Sequence, residues 1–216
     1  MKRISKMPVF IKKVNVEGVH SRFDVIHTFN PGINILYGKN GTGKTTLLHI
    51  LANLMLGDFD RFVYLDFKNI TIALSNKKSI ELKKRRNRKD ILIKVLLDGD
   101  EIENISRREI FKRDEKRREL VEENTIRKLS IFEEERKERK HPILPISYFP
   151  AFRTMLEAWA SQRFRGDYRI RRMSRDYSHQ NVMMTAFARD LFGSFVPEIN
   201  YASPIEIEYE ISSHIE

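Results

Sequence analysis

From Val9 to Phe29, apolar and polar residues alternate in two short runs, VFIKKVNVEG and RFDVIHTF. A period of two predicts antiparallel strands with one buried face. Asn30-Pro31-Gly32 then marks a turn, and Ile33, Ile35, Leu36 and Tyr37 predict a short buried strand that runs into a glycine-rich loop. Beyond the loop, Leu47, Leu48, Ile50, Leu51, Leu54 and Met55 recur at helical spacing, and Gly57 is placed to end that helix in a left-handed turn.

Period-two alternation returns in NITIAL, SIELKKR and ILIKVLLDGDEIENIS, broken by SNKK and by Asp98-Gly99, both hairpin signals. A β-rich subdomain from about Phe62 to Ile105 follows from this. Residues 107–140 change character, with 13 Lys/Arg and 10 Asp/Glu and sparse apolar positions. They predict one or two long exposed helices with charges paired at i,i+4. HPILPISYFP places prolines around a buried strand, and TMLEAWAS and NVMMTAFARDLFGSF predict amphipathic helices on either side of an arginine-rich stretch. Ser203–Glu206 reads as a capped helix start, while Ile205, Ile207, Tyr209 and Ile211 alternate as a strand would. The chain is thus expected to comprise a strand–loop–helix core with β-subdomain (1–106), a charged helical insertion (107–141), and a return strand with an arginine-rich helical region (142–216) that is incomplete at its C-terminus.

Composition narrows the class. The chain of 216 residues is 41% hydrophobic and 32% charged, enough for one large domain or two small ones. No run approaches the roughly 18–20 apolar residues of a membrane span, and no apolar segment follows the basic N-terminus as in a secretory signal. The absence of cysteine excludes disulfide and thiolate chemistry and fits a cytoplasmic setting. The net charge of +10 suits a polyanionic partner, and equally a well-solvated surface.

The chemistry concentrates in GKNGTGKT, Gly38 to Thr45, which matches G-x-x-x-x-G-K-[ST] in full. Glycines let backbone amides turn toward phosphate oxygens, and a helix beginning at Gly43 aims its unpaired N–H groups and dipole at the same anion. Gly38, Asn40, Gly41, Thr42, Gly43, Lys44, Thr45 and Thr46 are the candidate ATP-binding residues. Lys44 is expected to reach the β- and γ-phosphates, Thr45 to give its hydroxyl to Mg²⁺, and Thr46 to meet the α-phosphate.

GKNGTGKTTLL, with asparagine before the middle glycine and a double threonine after the lysine, resembles the ABC-type branch of P-loop ATPases. That branch includes transporter subunits, SMC and RecF proteins, and the overcoming-lysogenization-defect and related prokaryotic AAA family ATPases. The lead-in FNPGINILYG is similar to the usual SMC/RecF entry, and the likeness is strong from about Phe10 to Asp58. The resemblance implies an α/β P-loop NTPase of the ABC/SMC/RecF type. Its N-terminal lobe would carry an antiparallel β-subdomain and a charged helical insertion. It further implies ATP and Mg²⁺ as cofactors, a homodimer or a partner chain supplying missing motifs, and work on DNA or in phage defence. Where transporters and SMC proteins place a glutamine, this chain reads Phe149-Pro150-Ala151-Phe152-Arg153, with no glutamine before Gln162. Arg153 reads as a nucleotide or partner contact, or as a surface arginine beside a core strand.

Hydrolysis in this branch needs a buried strand ending in Asp-Glu. FVYLDF offers Asp66 followed by Phe67, too close to the loop helix, and Asp98 sits in a hairpin signal. No LSGGQ-like signature and no switch histidine appear, so no catalytic residue is assigned and little turnover by the chain alone is expected. A non-hydrolysing ATP-gated scaffold or nucleic-acid-binding module is the alternative. A transporter subunit fits less well, because it needs its own signature. Two basic runs suit nucleic acid: Asn76–Lys89, with eight Lys/Arg against one acid, and Arg163–Tyr177, with six arginines interleaved with aromatics. The latter reads equally as a solvated loop. His20, His27 and His49 show no metal-ligand spacing and are read as surface or packing residues.

Overall fold

A computed structural model describes residues 8–121, 143–150 and 177–200. By backbone proximity the chain divides into one unit of residues 1–48 and 59–118, and a second of residues 49–58 and 119–216.

The first unit is built on an antiparallel sheet of six strands: β1 (Ile11–Val19), β2 (Phe23–Thr28), β3 (Asn69–Leu74), β4 (Ser79–Arg86), β5 (Ile91–Leu97) and β6 (Asp100–Ser106). They lie in the order β2-β1-β3-β4-β5-β6. The alternation legible in the sequence sets which side chains face inward. Val14 and Val16 of β1, Ile70 and Ile72 of β3, Ile80 and Leu82 of β4, and Ile93 and Val95 of β5 are all buried to within 1%. The register stacks Val14 beside Ile72, Ile72 beside Ile80, and Leu82 beside Val95.

Turn chemistry fixes that register. Lys77 and Asp98 take left-handed backbone angles, φ 71° and 53°, at the β3–β4 and β5–β6 turns, and the Ser79 amide donates to Asp98 Oδ1 at 2.7 Å. In β1 the register shifts between Val16 and Val19, where Gly18 has φ 68° and lies under Lys68; a Cβ there would stand 2.8 Å from Lys68 Cγ.

The expected β-rich region starts later than Phe62. Phe59–Tyr64 is a 3-10 helix lying against β5 and β6, with Phe59 and Phe62 buried. It is held by α2 (Arg107–Val121): Tyr64 stacks on Phe111 at 5.4 Å and hydrogen-bonds Asp114, and Arg113 pairs with Asp60. Residues 122–141, the rest of the expected charged insertion, lie outside the described residues.

The second unit contains the later turns of α1 (Lys44–Leu56) and helix α3 (Tyr177–Phe192). α1 ends as expected: Gly57 has φ 71°, its amide donates to Leu54 O, and the Asp58 amide donates to Asn53 O. Met184, Ala188, Val196 and Ile199 form a buried cluster joined by Tyr148 and Phe187. Arg189 donates to Asp58 Oδ2 at 3.3 Å and to Val196 O at 2.9 Å, both charged groups being buried.

The buried strand expected in PISYFP is corrected: residues 145–150 join no ladder. The Asn200 side chain acts as their partner instead, accepting from the Tyr148 amide at 2.9 Å and donating to Ile146 O at 2.7 Å. The expected helix TMLEAWAS and the segment Ser203–Glu206 lie outside the described residues. Among the described residues no helix is long and apolar enough to cross a membrane.

Candidate functional site

The chain leaves β2 with the Phe29 amide donating to Lys12 O, then turns at Gly32, φ 87°. Asn34 stitches this turn, accepting from the Asn30 amide at 2.9 Å and donating to Asn30 O at 2.8 Å. Here the sequence reading is corrected. Ile33, Ile35 and Tyr37 do not form a buried strand; they are 92%, 80% and 92% exposed, and residues 33–37 join no ladder. The apolar residues are present, but no strand among the described residues lies alongside to pair with their backbone, and a strand without a neighbour is not a strand.

The loop itself is a tight turn of left-handed residues. Gly38, Gly41 and Gly43 have φ 153°, 80° and 82°, angles at which any side chain is strained. Thr42 Oγ1 donates to Lys39 O at 2.9 Å, closing the turn from within. α1 begins at Lys44, and its first backbone bond from outside the helix runs from the Leu47 amide to Gly43 O at 2.8 Å. The amides of the helix's first turn have no intrahelical acceptor and carry the positive end of the dipole.

Lys44 folds back over this turn, its Nζ donating to Gly38 O at 2.8 Å and Lys39 O at 2.7 Å. A cation is thereby held on the loop's own carbonyls, next to the N-terminus of α1. All eight candidate residues, Gly38, Asn40, Gly41, Thr42, Gly43, Lys44, Thr45 and Thr46, fall in this one turn and the helix start after it. Positive potential from amides, dipole and ammonium, with two threonine hydroxyls adjacent, is the donor set a Mg²⁺-polyphosphate calls for. The residues present fit such a group.

The other candidates scatter. Asp66 follows the 3-10 helix rather than ending a strand, 3.6 Å from Lys84 Nζ and accepting from Ser21 Oγ. Asp98 sits in the β5–β6 turn. Asp66 ends no strand, and Asp98, though it follows β5 with Asp100 across the turn, lies exposed in a hairpin and accepts from the Ser79 amide. Among the described residues no three His, Asp or Glu gather as a metal site. His20 lies exposed in the β1–β2 turn, and His27 packs edge-on against Phe29 at 4.6 Å. His49 is buried against Tyr148, and burial lowers its pKa to about 4. Arg153 and Arg163–Asp176 lie outside the described residues, and Tyr177 opens α3. The basic run Asn76–Lys89 is divided by β4, with Lys77 and Lys78 at one end of the sheet and Arg85–Lys89 at the other.

Sequence reading missed the pairing of Asp58 with Arg189 and of His49 with Tyr148. Each joins residues about a hundred positions apart or more, and nothing local signals either.

The chain is 46% identical over 39 residues to the DNA replication and repair protein RecF of Chloroherpeton thalassium, a stretch spanning 18% of this chain and 11% of that relative. A family model described as an AAA domain matches residues 13–180, which takes in the sheet, the glycine loop and α1. With that model covering well over half of its length, the chain belongs to the AAA domain family.

Proposed function

We propose that this chain binds Mg·ATP through Gly38–Thr46 as the nucleotide-binding portion of an SMC/RecF-like ATPase that acts on DNA. The observation that carries the reading is the Lys44 ammonium held on the loop's own carbonyls at the start of α1. The amides of Gly41, Thr42 and Gly43 and of the first turn of α1 would take the phosphate oxygens. The Nζ of Lys44 would exchange loop carbonyls for phosphate oxygens, which are stronger acceptors for a cation. The hydroxyl of Thr45 would hold Mg²⁺, and Thr46 would fix the α-phosphate. Mg²⁺, when bound, neutralises phosphate charge.

Hydrolysis needs a further carboxylate to orient water; Asp66 pairs with Lys84, and Asp98 and Asp100 sit exposed in a hairpin turn, so neither candidate suits that role. The chain by itself therefore holds nucleotide and turns it over slowly or not at all. That favours a second reading, in which nucleotide sets a conformation rather than being consumed. The resemblance to SMC and RecF proteins supports assembly as a dimer or with a partner chain, and supports DNA as the polyanion its charge suits.

Calorimetry with millimolar Mg·ATP tests the first half: a saturable heat absent from Lys44→Ala is expected, and no heat from the folded wild type would end the proposal. A phosphate-release assay tests the second. Steady turnover lost on Lys44→Ala would establish an enzyme and remove the scaffold reading.

A further inference from the structure

The sheet gathers cations that are dispersed in sequence. All its strand pairs are antiparallel, so the β1–β2 turn, the β4–β5 turn and the β6–α2 junction lie at one end. Arg22 belongs to the first of these, Arg85, Arg86, Arg88 and Lys89 to the second, and Arg108 to the third; all six are exposed. Among the described residues none of them forms a close ion pair with a carboxylate, although Arg108 acts on Asp90 at longer range. Lys68 lies beside them across Gly18.

Three acids at this end are engaged by neighbouring groups other than these six cations' side chains. Asp24 accepts from the Gly18 amide at 2.7 Å, and Asp66 binds Lys84 and Ser21. Asp90 accepts from Ser106 Oγ, the Ile91 amide and the Arg108 amide, bonds that hold its carboxyl below the usual range, with the Ser106 bond foremost. Glu17, Asp24, Asp66 and Glu109 are the exposed acids at this end, fewer than its exposed cations. The opposite end has a different balance: Lys12, Lys13, Lys77 and Lys78 share it with Asp98, Asp100 and Glu101. The glycine loop is reached from that opposite end, where β2 finishes.

From this we infer that the Arg22–Arg85–Arg108 end of the sheet is a docking surface for the phosphate backbone of duplex nucleic acid, separate from the nucleotide loop. Six strands at about 4.8 Å spacing make the row roughly 24 Å long. A duplex presents one phosphate charge per ~1.7 Å, so such a row spans about seven base pairs and meets phosphates along its whole length. A compact anion would engage only one corner. The inference rests on the proposal that the chain acts on DNA, and it excludes Lys77 and Lys78 from the basic run that the sequence suggests.

The test is fluorescence anisotropy of a labelled 30-base-pair duplex with the full chain, across a salt series. R85E/R86E/R88E/K89E is expected to weaken binding at least tenfold and to flatten the log–log salt slope by about 3 to 4. R22E/R108E, which leaves the β4–β5 turn untouched, is expected to weaken it several-fold and guards against a folding defect in the first variant. K12E/K13E/K77E/K78E makes the same charge change as the first at the other end and is expected to stay within twofold of wild type. Equal losses at both ends, or no loss in either test variant while the wild type binds, would overturn the surface and leave the DNA reading standing. A wild type that binds no duplex, including one that binds only anionic vesicles, would overturn both.

Discussion

His49 and Tyr148 share a hydrogen bond of 2.7 Å between Nε2 and the phenolic oxygen, with their rings edge to face at 5.5 Å. Burial disfavours the imidazolium and holds the His49 pKa near 4, against 6.5 in the unfolded chain; burial likewise raises Tyr148 to about 12, outside the working range. Between pH 6.5 and 4 the unfolded state therefore binds the proton that the folded state refuses. The stabilising preference is complete above pH 6.5 and is lost as pH falls toward 4. Chemical unfolding at pH 7.5 and pH 5 is expected to differ by about 2 kcal/mol from this group, and His49→Gln is expected to remove most of that difference. Asp90, whose pKa is lowered from 3.8, loses its contribution only below that range.

Lys44→Ala is expected to lower Mg·ATP affinity by one to two orders of magnitude, the equivalent of one or two hydrogen bonds from a charged donor at about 1.5–3 kcal/mol. Its melting temperature should match wild type, because the bonds of Nζ to Gly38 O and Lys39 O are exposed to solvent. Calorimetry together with a thermal melt separates the two effects.

Gly43→Val combines a left-handed angle, φ 82°, with a branched side chain at the helix start. No neighbour lies within 4 Å to obstruct its Cβ, so the strain is in the backbone itself. A cost of about 1–3 kcal/mol in stability is expected, with loss of nucleotide binding as the loop rearranges. Equilibrium denaturation and nucleotide titration measure both.

Arg189 and Asp58 form a buried ion pair with 6% and 7% of their side chains exposed. Arg189→Met is expected to destabilise the protein by about 3–5 kcal/mol, since it takes the guanidinium from a buried carboxylate. The double variant R189M/D58N should lose less than the sum of the singles. Urea unfolding of the four proteins gives the coupling; additive losses would mean the two side chains act independently.

Ile35 and Ile72 are both isoleucines in runs that alternate, yet one is 80% exposed and the other fully buried. Ile35→Asp should change the stability of this chain by less than about 0.5 kcal/mol, whereas Ile72→Ala should cost about 2–5 kcal/mol. Urea midpoints for the two variants check the contrast. A large loss at Ile35 would mean that its strand is buried in solution.

Local rules alone were sufficient for much of this molecule. Alternation in NITIAL and ILIKVLL set which face of β3 and β5 is buried, and Asp98-Gly99 and Gly57 ended their elements because few residues tolerate a positive φ. The glycine loop was legible for the same reason: its spacing is a statement about backbone angles within a few residues. Whether residues 33–37 become a strand was not legible, since pairing depends on a neighbour that periodicity cannot supply. Nor was the gathering of Arg22, Arg85 and Arg108 at one end of the sheet, or the partnership of His49 with Tyr148. Those follow from strand order and chain return, where contacts between distant residues form only once the intervening backbone has committed to a path.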